Sequence, residues 1–214
     1  MMNVHVSPRL GYPLLMGSAL MVGLLMTPLA QAAPEVGQAA PAFTARTADG
    51  GTVELAQLRG QTVVLEWTNH DCPFVMKHYR TGNMQATQQA AAAQGAVWLQ
   101  VISSAPGTQG HVEGEQARQL NRERGVEAVA HTLLDPEGTV GKLYGAQVTP
   151  HMYVIDADGL LVYMGGIDSV ASARDADIEK ATNHVLQALE AVQAGEPVPN
   201  PVTRAYGCTI KYAD

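Results

Sequence analysis

The order of apolar and polar residues predicts strands and helices that alternate over most of the chain. Residues 62–67 (TVVLEW) and 96–102 (AVWLQVI) are apolar on both faces, as is typical of central strands covered by helices. Alternating segments flank Asp49-Gly50-Gly51 and predict a β-hairpin. A second hairpin is predicted over residues 152–164, with its turn at residues 156–159. A short strand is predicted near residues 132–134.

Helices are predicted between these strands. Residues 73–94 begin with a proline and continue with an Ala/Gln-rich segment, and Gly82-Asn83 should kink or break this helix. Two shorter helices are predicted over residues 112–125 and 138–144, and an amphipathic helix over residues 176–194. This order indicates an α/β domain of three layers (α/β/α) with a mixed central sheet and an N-terminal β-hairpin.

The first residues have the features of an export signal. Arg9 is the only charged residue before Glu35, and an apolar stretch over residues 13–26 precedes the small-x-small pattern Ala30-Gln31-Ala32. The stretch is short and interrupted by small residues, which favours a cleaved signal peptide over a spanning helix, with an uncleaved anchor as the alternative. We therefore expect a periplasmic protein without stable membrane binding after cleavage. The predicted divisions are a signal peptide (1–32), a linker (33–40), one domain (41–194) and a C-terminal tail (195–214).

Composition narrows the range of partners. Apolar residues make up 46% of the 214, enough for an ordinary core without metal or disulfide support. The net charge of −7 repels phosphate backbones and anionic lipid, so we expect no nucleic-acid partner.

The two cysteines, Cys72 and Cys208, can form a disulfide in an oxidising compartment. The presence of two cysteines does not decide whether such a bond is permanent and structural or opens and closes during a reaction.

Cys72 is the best-marked chemical position. It follows a buried strand and precedes a helix, where free backbone N–H groups and the helix dipole stabilise a thiolate. A buried cysteine in a permanent disulfide is the alternative. Pro150, preceded by Thr149, stands directly before a predicted strand, where a cis peptide bond would turn backbone groups toward a neighbouring site. An ordinary trans proline is the alternative there.

Four segments resemble the thioredoxin superfamily, and specifically its peroxiredoxin-like (redoxin) branch. They are the opening APAFTARTADGGTVELAQLRGQTVVLEWT, the cysteine motif HDCPFVMKH, the segment YGAQVTPHMYVIDADGLLVYMGGID and the ending GCTIKY. Their order matches the family from about residue 41 to residue 214. The resemblance implies a thioredoxin-like fold.

The resemblance also implies roles for four residues and bears on Cys208. Cys72 occupies the position of the nucleophilic, peroxidatic-type cysteine, and Pro150 with Thr149 occupies that of the cis-proline beside it. Glu66 lies where thioredoxins keep a buried acid that relays protons. A carboxylate within an apolar strand has a raised pKa, which suits acid–base work, whereas a solvent-facing or ion-paired Glu66 is the alternative. Without a neighbouring thiol, Cys208 is the only candidate for an intramolecular resolving cysteine, which requires that the tail lies over Cys72; a purely structural disulfide is the alternative.

The chain departs from the family pattern around Cys72 and after the cis-proline segment. Val75 replaces the second cysteine of Cys-x-x-Cys, and Asn69 stands where peroxiredoxins have Thr or Ser, with Thr68 one step earlier. The arginine that follows the peroxiredoxin cis-proline segment has no counterpart, which weakens a direct reaction with peroxide. The basic residues of the following helix, Lys77, His78 and Arg80, are expected to form its polar face, with an electrostatic role as the alternative.

These observations predict an exported thiol oxidoreductase without cofactor or metal. Cys72 attacks a peroxide or a protein disulfide, Cys208 resolves the intermediate, and an external thiol reductant reopens the bond. One alternative is a non-catalytic binding module with a permanent Cys72–Cys208 disulfide. Another is a Cu(I) chaperone, because Cys-Pro-x-x-Met resembles the motif of thioredoxin-fold copper chaperones, with Met76 in place of their second cysteine and His70 and His78 nearby.

Overall fold

The computed structural model describes residues 1–3 and 34–213. The signal peptide predicted over residues 1–32 therefore lies, beyond residue 3, outside the described residues. The strands of the described part are β1 (Thr44–Thr47), β2 (Thr52–Glu54), β3 (Val63–Trp67), β4 (Val97–Ile102), β5 (His131–Leu134), β6 (Val148–Thr149), β7 (His151–Ile155), β8 (Leu161–Gly165) and β9 (Cys208–Thr209). The α-helices are α1 (Pro73–Arg80), α2 (Asn83–Ala93), α3 (Gly114–Glu123), α4 (Thr139–Leu143) and α5 (His184–Ala194).

Seven strands form one mixed sheet in the order β2-β1-β5-β4-β3-β7-β8. Strand β3 is central, pairing in parallel with β4 and antiparallel with β7. All five residues of β3 are buried, as its apolar composition predicted. The remaining two strands, β6 and β9, form a separate antiparallel pair.

Helices cover both faces of the central sheet. Val63, Leu65 and Trp67 of β3 belong to the core that includes Val140 of α4. Val64, on the opposite face, belongs to the core formed with helices α1, α2 and α5. This alternation follows from the two-residue period of a strand, and it confirms the α/β class and the flanking helices predicted from the sequence.

Two local predictions differ from the structure. The predicted helix 176–194 is divided into a 3-10 helix (Asp175–Lys180) and α5, because the Asn183 side chain accepts a hydrogen bond from the Leu186 amide (3.0 Å) and caps α5. The tail, in which no strand was predicted, contains β9. The predicted break near Gly82 is confirmed, since Gly82 has a φ of 75° and precedes α2. In the part of the chain that the structure describes, no helix is long and apolar enough to cross a membrane.

Candidate active site

Cys72 and Cys208 form a disulfide. The bond joins residues 136 positions apart, and their Cα atoms lie 5.8 Å from each other, within the usual bridging range. Cys72 is the N-cap of α1 and is fully buried, whereas Cys208, in β9, is only partly buried. The tail therefore reaches the start of α1, which was the condition for Cys208 to act with Cys72.

A tight turn places Cys72 between strand β3 and helix α1. The Asn69 carbonyl oxygen accepts a hydrogen bond from the Cys72 amide (3.1 Å), and the Asn69 side chain accepts one from the Asp71 amide (2.9 Å). Gln109, in the loop after β4, donates to the Asp71 carbonyl (3.3 Å) and steadies the turn. The polar atoms of Asn69 are thus used within the loops and not at the sulfur of Cys72.

The Thr149-Pro150 peptide bond is cis, in agreement with the sequence-based expectation. Thr149 pairs in register with Cys208 across the β6–β9 ladder. The carbonyl oxygen of Thr149 lies 3.2 Å from the Cys72 sulfur. The structure thus brings Cys72, Cys208, Thr149 and Pro150 together, although they come from distant parts of the sequence.

Gly207 permits the close approach of the tail to β6. Its φ of 145° lies in a region that side chains rarely adopt, and a Cβ atom there would overlap the Thr149 carbonyl oxygen. Two hydrogen bonds also hold the tail after Cys208. The Ile210 amide donates to the Gln147 carbonyl (3.0 Å), and the Tyr212 hydroxyl donates to the Ala146 carbonyl (2.7 Å). The disulfide is therefore one of several connections that hold the tail.

Glu66 is buried on β3 and is not solvent-facing. Its carboxylate accepts hydrogen bonds from the Tyr79 hydroxyl (2.6 Å), the Trp98 indole (2.8 Å) and the Gln88 amide (3.1 Å). Burial raises the pKa of Glu66, while these donors partly oppose the rise. Among the described residues, none of its hydrogen bonds goes to either cysteine, so Glu66 belongs to the surroundings of Cys72 rather than to its direct contacts.

The expectation that Lys77, His78 and Arg80 form a polar helix face is wrong for two of them. Lys77 and His78 are fully buried. Arg80 lies on the surface and pairs with Asp175 at 2.5 Å. The burial of Lys77 and His78 is tolerated because the fold supplies partners from two remote segments.

These partners complete what we call the buried polar cluster, consisting of Lys77, His78, Asp168 and Tyr206. Lys77 Nζ lies 3.5 Å from Asp168 Oδ2 and 3.4 Å from the Tyr206 hydroxyl, which donates to Asp168 Oδ1. Burial and the bond to Asp168 raise the pKa of Tyr206, so its hydroxyl stays protonated and able to donate. Sequence reasoning missed Asp168 and Tyr206, and the position of Tyr206 two residues before Cys208 was the one available signal.

His78 contributes to the buried polar cluster as a neutral ring. Burial, and then the neighbouring charge of Lys77, lower the pKa of His78 to about 4, with Asp168 opposing the change. The Asn83 side-chain amide lies 2.8 Å from His78 Nδ1. With Nδ1 accepting from that amide, Nε2 carries the hydrogen and faces the Tyr206 hydroxyl at 3.5 Å.

The residues considered for Cu(I) are used differently in this structure. The Cys72 sulfur is in the disulfide, and Met76 is 42% exposed. His78 contacts Tyr206 and Asp168. Within residues 34–213, no three His, Cys, Asp or Glu side chains are grouped to hold a metal ion.

The mixed sheet with helices on both faces, the cis-proline and the cysteine at the start of α1 are the features of a thioredoxin-like fold. The AhpC/TSA family matches residues 36–164, which is more than half of the chain, and the chain belongs to that family. Membership supports an oxidoreductase. The matched segment includes Cys72 and Pro150 but ends before the tail, so the family pattern does not describe Cys208.

Solved structures show the same fold. A hypothetical protein from Sinorhizobium meliloti is 23% identical, with a TM-score of 0.69 over 85% of this chain and 97% of that one. An uncharacterized conserved protein from Geobacillus kaustophilus is 24% identical, with a TM-score of 0.69 over 84% and 93%. A candidate thiol:disulfide interchange protein, DsbE, from Chlorobium tepidum is 23% identical, with a TM-score of 0.55 over 75% and 99%. The comparison with curated proteins found no match.

Proposed function

We propose that this protein is an exported thiol–disulfide oxidoreductase that cycles Cys72 and Cys208 between disulfide and dithiol. The observation that carries the proposal is the Cys72–Cys208 bond itself, formed at the start of α1 beside a cis-proline. In this proposal the tail supplies the second thiol that Val75 cannot supply. Export is proposed from the N-terminal sequence, in which an apolar stretch precedes Ala30-Gln31-Ala32.

The reaction transfers two electrons by two exchange steps. The Cys72 thiolate attacks a substrate disulfide, bonds to one of its sulfurs and releases the other as a thiolate. The Cys208 thiol then loses its proton and attacks the Cys72 sulfur, which releases the second substrate thiolate and closes the Cys72–Cys208 bond. An external thiol reductant returns the two electrons. The reverse sequence oxidises a substrate dithiol.

Each remaining site residue has a role in this proposal. Cys72 reacts first because it lies at the helix N-terminus, where the dipole favours its thiolate. Thr149 and Pro150 hold the β6 backbone against the tail, so that Cys208 stays opposite Thr149. Glu66 is the buried acid that exchanges a proton with the site as the sulfur pair opens and closes, consistent with its raised pKa.

Disulfides are favoured over peroxides as substrates. A peroxide must be held by polar groups next to the reacting sulfur, and Asn69 is committed to the turn before Cys72. The neighbouring arginines are also engaged, since Arg124 donates to the His70 carbonyl (3.1 Å) and Arg80 pairs with Asp175. Neither Arg80 nor Arg124 is therefore free to take the place of the missing peroxiredoxin arginine.

The test is a redox titration of the folded protein in glutathione buffers, with acid quenching, alkylation of thiols and mass measurement. We expect complete, reversible conversion between disulfide and dithiol, with a midpoint above about −300 mV, because structural disulfides usually have lower potentials. We also expect the wild type, but neither Cys72→Ser nor Cys208→Ser, to turn over a disulfide-bonded peptide with glutathione as reductant. Far-UV circular dichroism of each variant controls for folding.

Two outcomes would overturn the proposal. A disulfide that stays closed in the folded protein down to about −300 mV would indicate a permanent bond and a non-catalytic module. Faster oxidation of the reduced protein by hydrogen peroxide than by a disulfide peptide would indicate a peroxidase instead.

A further inference from the structure

The buried polar cluster joins the two segments that carry the cysteines. Lys77 lies on α1, five residues after Cys72, and Tyr206 lies in the tail, two residues before Cys208. Asp168 comes from the segment after β8 and contacts both, through Oδ2 to Lys77 and Oδ1 to Tyr206. A noncovalent connection between α1 and the tail therefore runs beside the disulfide.

We expect this connection to resist opening, because Tyr206 lies against the buried charges of Lys77 and Asp168. Lys77 is 0% exposed and Asp168 5% exposed, so each depends on hydrogen bonds for its stabilisation. Tyr206 supplies one partner to both, with its hydroxyl 3.4 Å from Lys77 Nζ. If the tail lifted away, this hydroxyl would leave, and the buried Lys77–Asp168 ion pair would lose one of its hydrogen-bond partners.

The Tyr206 ring adds contacts to the same anchor. It packs edge-on against Phe74 of α1, with ring centroids 5.8 Å apart. Lys77 Nζ lies 5.5 Å from the Tyr206 ring centroid. None of these contacts involves sulfur, so opening the disulfide does not itself remove them.

We propose that the buried polar cluster is a clamp that keeps the tail docked over Cys72 in the dithiol state, with Tyr206 as its releasable positioning residue. The inference rests on the proposed thiol–disulfide cycle. In the docked dithiol form, Cys208 remains beside Cys72 and the tail covers the reactive sulfur. A substrate disulfide then reaches Cys72 only after Tyr206 leaves Asp168 and Lys77, so release of the clamp controls access to the site.

The test isolates the dithiol state by removing Cys208. In a Cys208→Ser background, Cys72 is the only thiol, and its alkylation by iodoacetamide reports how often the tail opens. Adding Tyr206→Phe removes the hydroxyl and keeps the ring. We expect alkylation of Cys72 to accelerate about tenfold, because a hydrogen bond to charged partners is lost from the closed form only.

Tyr144→Phe in the same background is the matched control. Its hydroxyl is also bonded within the fold, to the Pro41 carbonyl at 2.8 Å, but it does not belong to the buried polar cluster. We expect this control to leave the alkylation rate unchanged. Amide hydrogen exchange of a peptide covering residues 206–212 should accelerate in the Tyr206→Phe variant and not in the control.

Equal alkylation rates with and without Tyr206→Phe would overturn the clamp, as would equal acceleration by Tyr144→Phe. These readouts need no disulfide exchange. Failure of the wild type to exchange its disulfide would therefore overturn the proposed function separately, while the alkylation and hydrogen-exchange results would still decide whether Tyr206 holds the tail.

Discussion

The sulfur of Cys72 lies 3.2 Å from the carbonyl oxygen of Thr149, the residue that pairs directly with Cys208. In the disulfide, this sulfur has no hydrogen to donate, so the contact is one of packing. After reduction, a protonated Cys72 thiol can donate to the same carbonyl, and loss of that proton gives the thiolate of the proposed reaction. The β6 backbone thus contacts both partners of the sulfur pair, and its position links the chemistry of the site to the docking of the tail.

Loss of the disulfide should lower the stability of the protein. The bond closes a loop across 136 positions, and the chain-entropy estimate for so long a loop is about 5 kcal/mol, with measured losses for native disulfides of about 2–5 kcal/mol. We expect Cys208→Ser to lower the free energy of urea unfolding within that range. The reduced wild type should match the variant, and a variant as stable as the oxidised wild type would contradict the prediction.

Substitution of Gly207 by alanine should weaken the docking of the tail, since the added Cβ would overlap the Thr149 carbonyl oxygen. We expect Gly207→Ala to slow reoxidation of the reduced protein by glutathione disulfide at least tenfold, measured by quenched alkylation. Gly195→Ala is the control, because Gly195 also has a positive φ (68°) but no atom lies within 4 Å of its added Cβ. If both variants slowed reoxidation to a similar extent, backbone strain alone would explain the effect, and the overlap with Thr149 would not.

Glu66 should make the protein less stable as the pH rises. Burial raises its pKa above the ordinary value of 4.5, so the folded state binds this proton more tightly than the unfolded state. That stabilisation is complete below pH 4.5 and is lost as the pH rises through the folded pKa. Urea unfolding of Glu66→Gln should show a smaller loss of stability above pH 4.5 than the wild type.

Glu66→Asp, which keeps a titrating acid, is the control for that experiment and should retain most of the pH dependence. The same pair of variants tests the proton role proposed for Glu66. The pH profile of disulfide exchange should change in Glu66→Gln and be restored in Glu66→Asp. Identical profiles in both variants and the wild type would remove Glu66 from the mechanism.

His151 should contribute to a loss of stability in acid. Burial lowers its pKa from 6.5 to about 4, so its contribution is present above pH 6.5 and is lost as the pH falls toward 4. Each such group changes the unfolding free energy by up to about 1.4 kcal/mol per pH unit in that window. His151→Asn, with an oxygen in place of the Nδ1 acceptor of the Gln147 amide, should show a shallower decline than the wild type.

His78 has the same lowered pKa of about 4, so a residual acid dependence is expected in His151→Asn. The measurement is urea unfolding of both proteins between pH 4 and 7. Parallel curves for the two proteins would show that His151 titrates alike in the folded and unfolded states.

The sequence predicted features that depend on local pattern. Strand β3 follows from an apolar run of the right length, the break before α2 from Gly82, and the site beside Cys72 from a cysteine between strand and helix. The division of the last predicted helix was missed. The amphipathic pattern runs through Asn183 without a break, and only the geometry of the Asn183 side chain shows that it caps the start of α5.

The sequence by itself determined the class of fold and the two cysteines available for exchange, because strand and helix patterns and residue counts are properties of the chain alone. Only the tertiary structure decided that the tail lies against β6 and that Lys77 and His78 are buried. A lysine and a histidine at these helix positions have the same local pattern as an exposed polar face. Their burial is stabilised by Asp168 and Tyr206, which are about 90 and 130 residues away along the chain, with Asn83 as a further, local partner of His78.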